Sequence, residues 1–97
     1  MNADLQREQS WRASTGLHSR CLGGDFVVFN PLSGHTHFLD IVTGHVLTLL
    51  MAGRRTEAVI RSSVATFLEV PDDDKLAATV DDILMRLQDA GLAERAD

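Results

Sequence analysis

The sequence predicts an α+β domain in which a three-stranded antiparallel meander feeds a bundle of three helices. Three observations carry that expectation. Two β-rich runs, "LHSRCL" and "DFVVFN", flank a pair of glycines. A second turn signal, "PLSG", separates the latter run from "HTHFL". The rest of the chain then holds three stretches with apolar residues at helical spacing, each introduced by a residue able to cap a helix.

The bulk properties fit one folded domain. The chain has 97 residues, 44% hydrophobic and 24% charged, a balance that permits a core and argues against a disordered acidic tail. A domain this small buries only about 60 to 70% of its extended-chain surface, so its stability will be modest. Nine Lys and Arg stand against fourteen Asp and Glu, for a net charge of −5, which speaks against binding driven by counterion release from nucleic acid. The one cysteine, Cys21, has no partner for an internal disulfide. No apolar run approaches the roughly 20 residues that cross a membrane. The start, "MNADLQREQSWR", lacks the basic and apolar regions of a secretory signal. A cytoplasmic protein with no membrane partner is therefore expected.

Residues 1–16 are polar apart from Leu5 and Trp11 and show no steady period, so they are expected to form a polar N-terminal arm before a domain spanning 17–95. Trp11 is expected to fold back over apolar surface. Gly23 and Gly24 allow the positive φ values of a tight hairpin between Leu17–Leu22 and Asp25–Asn30. In "FVVFN" apolar residues occupy both parities, which predicts a central strand covered on both sides. Pro31–Gly34 turn the chain into His35–Leu39, a third strand at the edge of the meander with unpaired backbone groups.

Asp40 is placed to cap a first helix whose apolar positions are Val42, Val46, Leu49 and Leu50, with Gly53 as its stop. Gly44 within it reads as a weak point, costing about 1 kcal/mol relative to Ala. Thr56 caps a second helix carrying Ile60, Val64, Phe67 and Leu68, and Pro71 ends the run. Asp72–Asp74 put negative charge at the start of a third helix, where the macrodipole favours it. Its stripe is Leu76, Val80, Ile83, Leu84 and Leu87, and Gly91 supplies the residue beyond its end.

Several chemistries can be weighed on these elements. His35 and His37 project to the same side of a strand, and with His18 or His45 they would make three imidazole ligands for zinc. No HExxH, paired CxxC or carboxylate cluster completes such a site, so ordinary half-exposed histidines, with no metal and no cofactor, are expected. Cys21 lacks a base and an oxyanion pocket and is expected to be a small buried hydrophobe. With no phosphate-binding glycine loop and no Ser-His-Asp order, the chain is not expected to be an enzyme. Strands joined to three helices also fit a winged-helix DNA-binding regulator. The third helix opposes that reading, because Asp81, Asp82 and Asp89 outnumber Lys75 and Arg86 and would repel phosphates. A structural dimerisation domain, pairing two copies of the open edge into a homodimer, is a further alternative.

The order of elements and the residues within them resemble the PqqD-like family of peptide chaperones. The marks are "SGHTHFLD", matching a strand, Leu-Asp and helix start; "GRRTEAVI", matching a Gly-x-x-Thr turn; and "VDDILMRLQDAGLAE", matching a last helix with its Gly-Leu ending. Trp11, "FVVFNPLSGHTHFLD" and the short acidic link before the last helix resemble, more narrowly, the HPr-rel-A system PqqD-like branch. The resemblance runs from about Trp11 to Glu94, and its specificity lies in order and spacing. It implies a winged-helix-like recognition domain for a ribosomally made precursor peptide, which binds the leader segment and presents it to a modifying enzyme, radical-SAM or kinase-related. It further implies that the leader adds as a strand along His35, Thr36, His37, Phe38 and Leu39. Leu76, Thr79, Ile83 and Arg86 are then candidate groove residues.

Overall fold

The computed structural model describes residues 9–96. Residues 1–8 of the expected arm lie outside that range. The elements are β1 (Ser10–Ala13), β2 (His18–Leu22), β3 (Asp25–Asn30), β4 (His35–Leu39), α1 (Ile41–Ala52), β5 (Arg55–Thr56), α2 (Glu57–Leu68), α3 (Asp74–Asp89) and β6 (Ala93–Arg95).

The meander forms as the sequence indicates, with β3 central between β2 and β4 and both pairings antiparallel. Its first turn is two residues long, with Gly23 at φ 58° and Gly24 at φ 93°. Those are the values of a type I′ turn, whose twist matches that of the flanking strands. The expectation that β3 is covered on both faces does not hold. Phe26, Val28 and Asn30 are buried, whereas Phe29 on the opposite parity is exposed. The sheet projects as a wing, packed on one side only. Every residue of the outer strand β2 is exposed, even Ser19 and Cys21, whose pairing with Val28 and Phe26 puts them on the packed face, so Cys21 is not the buried hydrophobe expected.

A second antiparallel sheet, ordered β5-β1-β6, joins the two ends of the described chain. Ser10–Ala13, expected in a loose arm, is its central strand, and Trp11 pairs with both Arg55 and Arg95. Trp11 is only 1% exposed. Its indole Nε1 donates to Glu57 Oε2 at 2.9 Å, and the Arg95 guanidinium sits 5.3 Å from the ring centroid, within cation–π range. Burial of a large aromatic ring, with its one polar atom satisfied, is what draws this otherwise polar segment into the fold.

The first two helices start at the caps expected, and Asp73, from the acidic run expected at the start of the third, caps that one. Asp40 Oδ1 accepts from Thr43 N, Thr56 Oγ1 from Val59 N and Asp73 Oδ1 from Leu76 N. The end of α3 is a Schellman motif: Leu92 N donates to Leu87 O and Gly91 N to Gln88 O, with Gly91 at φ 76°. The end of α2 has the same pattern, Val70 N to Ala65 O and Glu69 N to Thr66 O, but with Glu69 in the left-handed region before Pro71 is reached.

The core gathers all five expected residues of α3, Ile60 and Val64 of α2, Val46, Leu47 and Leu50 of α1, and Phe26 and Val28 of β3. Phe67 and Leu68 are exposed instead of core: Phe67 stacks on the His45 ring of α1 at the surface, and Leu68 borders a cleft. Gly44 proves to be a contact point: a Cβ there would stand 2.5 Å from Phe26 Cγ. Its absence lets α1 lie directly on the central strand of the wing and fixes the wing against the helices.

Candidate functional site

The wing has two edge strands, β2 and β4; β4 is the one that borders the last helix, and the hairpin geometry decides which of its backbone groups are free. In a two-residue hairpin the closing pair, Leu22 and Asp25, is hydrogen-bonded, and hydrogen-bonded and non-bonded pairs alternate from there. Asp25, Val27 and Phe29 therefore turn their N–H and C=O groups toward β2. Phe26, Val28 and Asn30 turn theirs toward β4. Their register partners are Leu39, His37 and His35, whose backbone groups turn inward; at the turn end the His35 N–H also donates to Ser33 Oγ at 3.2 Å. Thr36 and Phe38 are left with backbone donors and acceptors pointing away from the sheet.

Register also assigns the side chains. Directly opposed residues share a face, so His35, His37 and Leu39 lie on the core-side face with Asn30, Val28 and Phe26. Thr36 and Phe38 lie on the outer face with Phe29 and Val27, and His18 joins them through its pairing with Phe29. His18 is thus on the opposite face from His35 and His37. His45 is committed elsewhere, its Nε2 2.9 Å from Ser63 Oγ and its ring stacked on Phe67. No group of three or more metal-ligating side chains is assembled among the described residues. The His35 and His37 rings meet edge to face at 6.3 Å, and the buried His37 Nε2 has no hydrogen-bond partner among the described residues.

Where β4 runs into α1, it borders a cleft of about 120 Å³ shared with the C-terminal half of α3. Phe38 and Leu39 form the strand side, Asp40 and Thr43 the floor at the start of α1, and Arg86 and Leu87 the helix side. The size is that of a single side chain, given that a cavity of about 150 Å³ accepts benzene. Phe38 is 73% exposed at its mouth. The Asp40 carboxyl is held below its ordinary range, chiefly by the Thr43 backbone N–H it accepts and with help from the positive charge of Arg86. Arg86 is itself paired with Asp82 at 3.0 Å, one turn back along an exposed face.

Of the expected groove residues, Arg86 alone reaches this cleft. Leu76 and Thr79 line a larger one, about 350 Å³, between the other end of α3 and the link that follows α2, with Leu68, Val70 and Pro71. Ile83, at 3% exposure, is part of the core between them. Sequence reading missed Thr43, Leu87 and Ala90 as cleft residues. One signal could have found Thr43: the residue whose N–H meets the cap must lie at the strand–helix junction, where the open edge ends.

No protein-family model matches the chain, and no curated protein matches it either. Solved structures do. TbiB1, in complex with the TbiA(beta) leader peptide, superposes with a TM-score of 0.73 at 23% identity, covering 89% of this chain and 99% of that one. The PqqD truncation of Methylobacterium extorquens PqqCD, described as a functional stand-alone recognition element for ribosomally synthesized and post-translationally modified peptides (RiPPs), superposes with a TM-score of 0.70 at 23% identity, covering 89% of each chain. The chain has the fold of the PqqD-like RiPP recognition elements, an α+β, winged-helix-like arrangement of small antiparallel sheets and three helices.

Proposed function

We propose that this chain is a non-catalytic peptide-recognition domain that takes an extended leader segment as an added strand on β4 and presents its precursor to a separate modifying enzyme. The observation that carries the reading is the edge strand β4, where two outward backbone positions, Thr36 and Phe38, stand beside a cleft formed with α3 in which Leu39 and Leu87 lie next to the polar groups of Asp40, Thr43 and Arg86. Strand addition draws affinity from main-chain hydrogen bonds and specificity from pockets that take alternate side chains. Guest residues opposite Leu39 face the 120 Å³ cleft, and those opposite Phe38 face outward over the wing. A leader segment is the guest class favoured by the likeness to TbiB1, which was solved with one.

The test is a proline substitution at an outward position. Thr36→Pro removes one free donor but none of the bonds between β3 and β4, so the wing stays folded. Random peptides about twelve residues long, displayed and selected on the unaltered chain, provide the probe. Their affinity for Thr36→Pro is expected to fall about two- to tenfold, the effect of one net hydrogen bond, and the Thr36 and Phe38 amide resonances are expected to move on binding. Unchanged affinity for a folded Thr36→Pro variant sinks the proposal.

A further inference from the structure

The wing lacks a cover that its sequence pattern calls for. Strand β3 carries apolar side chains on both parities, the pattern of a strand buried on two faces. Its Phe26 and Val28 face packs into the core against α1, while the outer face, with Val27 and Phe29, has no layer over it. On that outer face β2 sets His18 opposite Phe29, Arg20 opposite Val27 and Leu22 opposite Asp25. Phe29 is 40% exposed and Leu22 53%. These side chains border a depression of about 320 Å³ that shares no lining residue with either cleft beside α3.

Arg20 gives the face a second property, a charge without a counterpart. The other described arginines are engaged: Arg12, Arg61 and Arg86 in ion pairs, Arg54 and Arg55 on carbonyl oxygens, and Arg95 over the Trp11 ring. Arg20 has no such partner among the described residues. Asp25, the one acid on the outer face of the wing, lies at the turn end and does not pair with it. In a chain of net charge −5, a free guanidinium set among exposed apolar side chains is a place for an acid supplied from outside.

We propose that the outer face of β2 and β3 docks an amphipathic helix of a partner protein. The apolar stripe of that helix covers Leu22, Val27 and Phe29, and an Asp or Glu beside the stripe pairs with Arg20. A sheet with an apolar face is completed by a packed layer, and one helix fits the dimensions. A helix about 10 Å across covers two strands about 4.8 Å apart together with their side chains. The five residues of β2 extend over about 17 Å, the length of about eleven helical residues, or three turns. A second copy of the chain is a poorer cover, because it brings another Arg20 and only Asp25 to meet it. The docked helix leaves the outward backbone groups of Thr36 and Phe38 free, so this face adds a second partner to strand addition and does not depend on it.

A displayed library of helix-favouring peptides about eighteen residues long tests this. Each has an apolar stripe and flanking positions drawn from Asp, Glu, Ser, Lys and Arg, and selection is on the unaltered chain. Selected helices are expected to carry Asp or Glu beside the stripe and to move the amide resonances of Arg20, Val27 and Phe29. Arg20→Glu is expected to lower their affinity about tenfold or more, and exchanging the peptide's acid for Lys should restore binding to that variant. Phe29→Ser should lower affinity by a similar factor, through lost apolar contact. Both side chains are exposed, so both variants should fold. Helices without an acid preference, helices indifferent to Arg20→Glu, or a selection that yields none overturn the proposal. So does sedimentation showing a dimer of the unaltered chain that Phe29→Ser abolishes, since the cover is then a second copy. Strand addition is read separately, by peptides sensitive to Thr36→Pro, and stands or falls without this face.

Discussion

Replacing Gly44 by alanine sets two physical effects against each other, and the structure decides the sign. In an isolated helix the change would stabilise by about 1 kcal/mol, because glycine has more backbone entropy to lose. Here the new methyl would lie 2.5 Å from Phe26 Cγ, 2.7 Å from Cδ2 and 2.9 Å from Cβ. Favourable carbon contacts lie near 3.5 to 4.0 Å, so the overlap exceeds half an ångström even at its mildest. It falls on the stem of a buried ring held by the central strand, which has no flexible end to swing aside. Overpacking of this kind costs about 1 to 3 kcal/mol, and displacement of backbone puts this site at the upper end. The net expectation is a loss of about 1 to 2 kcal/mol. In a domain of this size that lowers the melting temperature by about 4 to 16 °C. Urea unfolding followed by the fluorescence of Trp11, the single tryptophan in the chain, reads it directly. A Gly44→Ala variant as stable as the parent, or more so, would refute the close approach of α1 to β3 that fixes the wing and its open edge.

Trp11→Ala should cost about 3 to 5 kcal/mol, the range for emptying a buried aromatic site, with circular dichroism as the readout since the fluorophore is gone; a loss below about 1 kcal/mol would mean residues 10–13 are not built into the second sheet. Glu69→Gly should stabilise by about 0.5 to 1 kcal/mol, since Glu69 holds the left-handed C′ position of α2 at φ 57° and glycine adopts that conformation without strain; a destabilised variant would count against this helix end. The Asp40 carboxyl has a folded-state pKa depressed by the Thr43 N–H, so its contribution is present above the unfolded value near 3.9 and is lost as pH falls through the lower folded value. Stability measured from pH 5 to pH 3 should accordingly drop more steeply for the parent than for Asp40→Asn, which keeps a capping oxygen without the titration. Parallel profiles would remove Asp40 from the account of acid sensitivity.

The meander, the three helix starts and the apolar stripe of α3 were legible in the sequence because each rests on local chemistry. Paired glycines set a turn, an Asp or Thr side chain meets an N–H three residues on, and apolar spacing marks a face. The second sheet was not legible. Its strands are two to four residues long, too short for an alternating pattern, and pairing between Ser10–Ala13 and Ala93–Arg95 joins opposite ends of the chain. Trp11 alone hinted at it, as a large ring that had to find cover.

The candidate site divides in the same way. Sequence determined that His35–Leu39 ends the meander and so leaves an edge, since connectivity and turn lengths are local properties. The parity that frees Thr36 and Phe38 follows from the two-residue turn, but which pocket each groove residue borders depended on how α1 and α2 pack on α3. That packing put Arg86 beside β4 and Leu76 and Thr79 at a second cleft, and it buried Ile83 between them. Periodicity places residues on one face of a helix. Only tertiary contacts say what covers that face at each turn, because cover is supplied by chain distant in sequence.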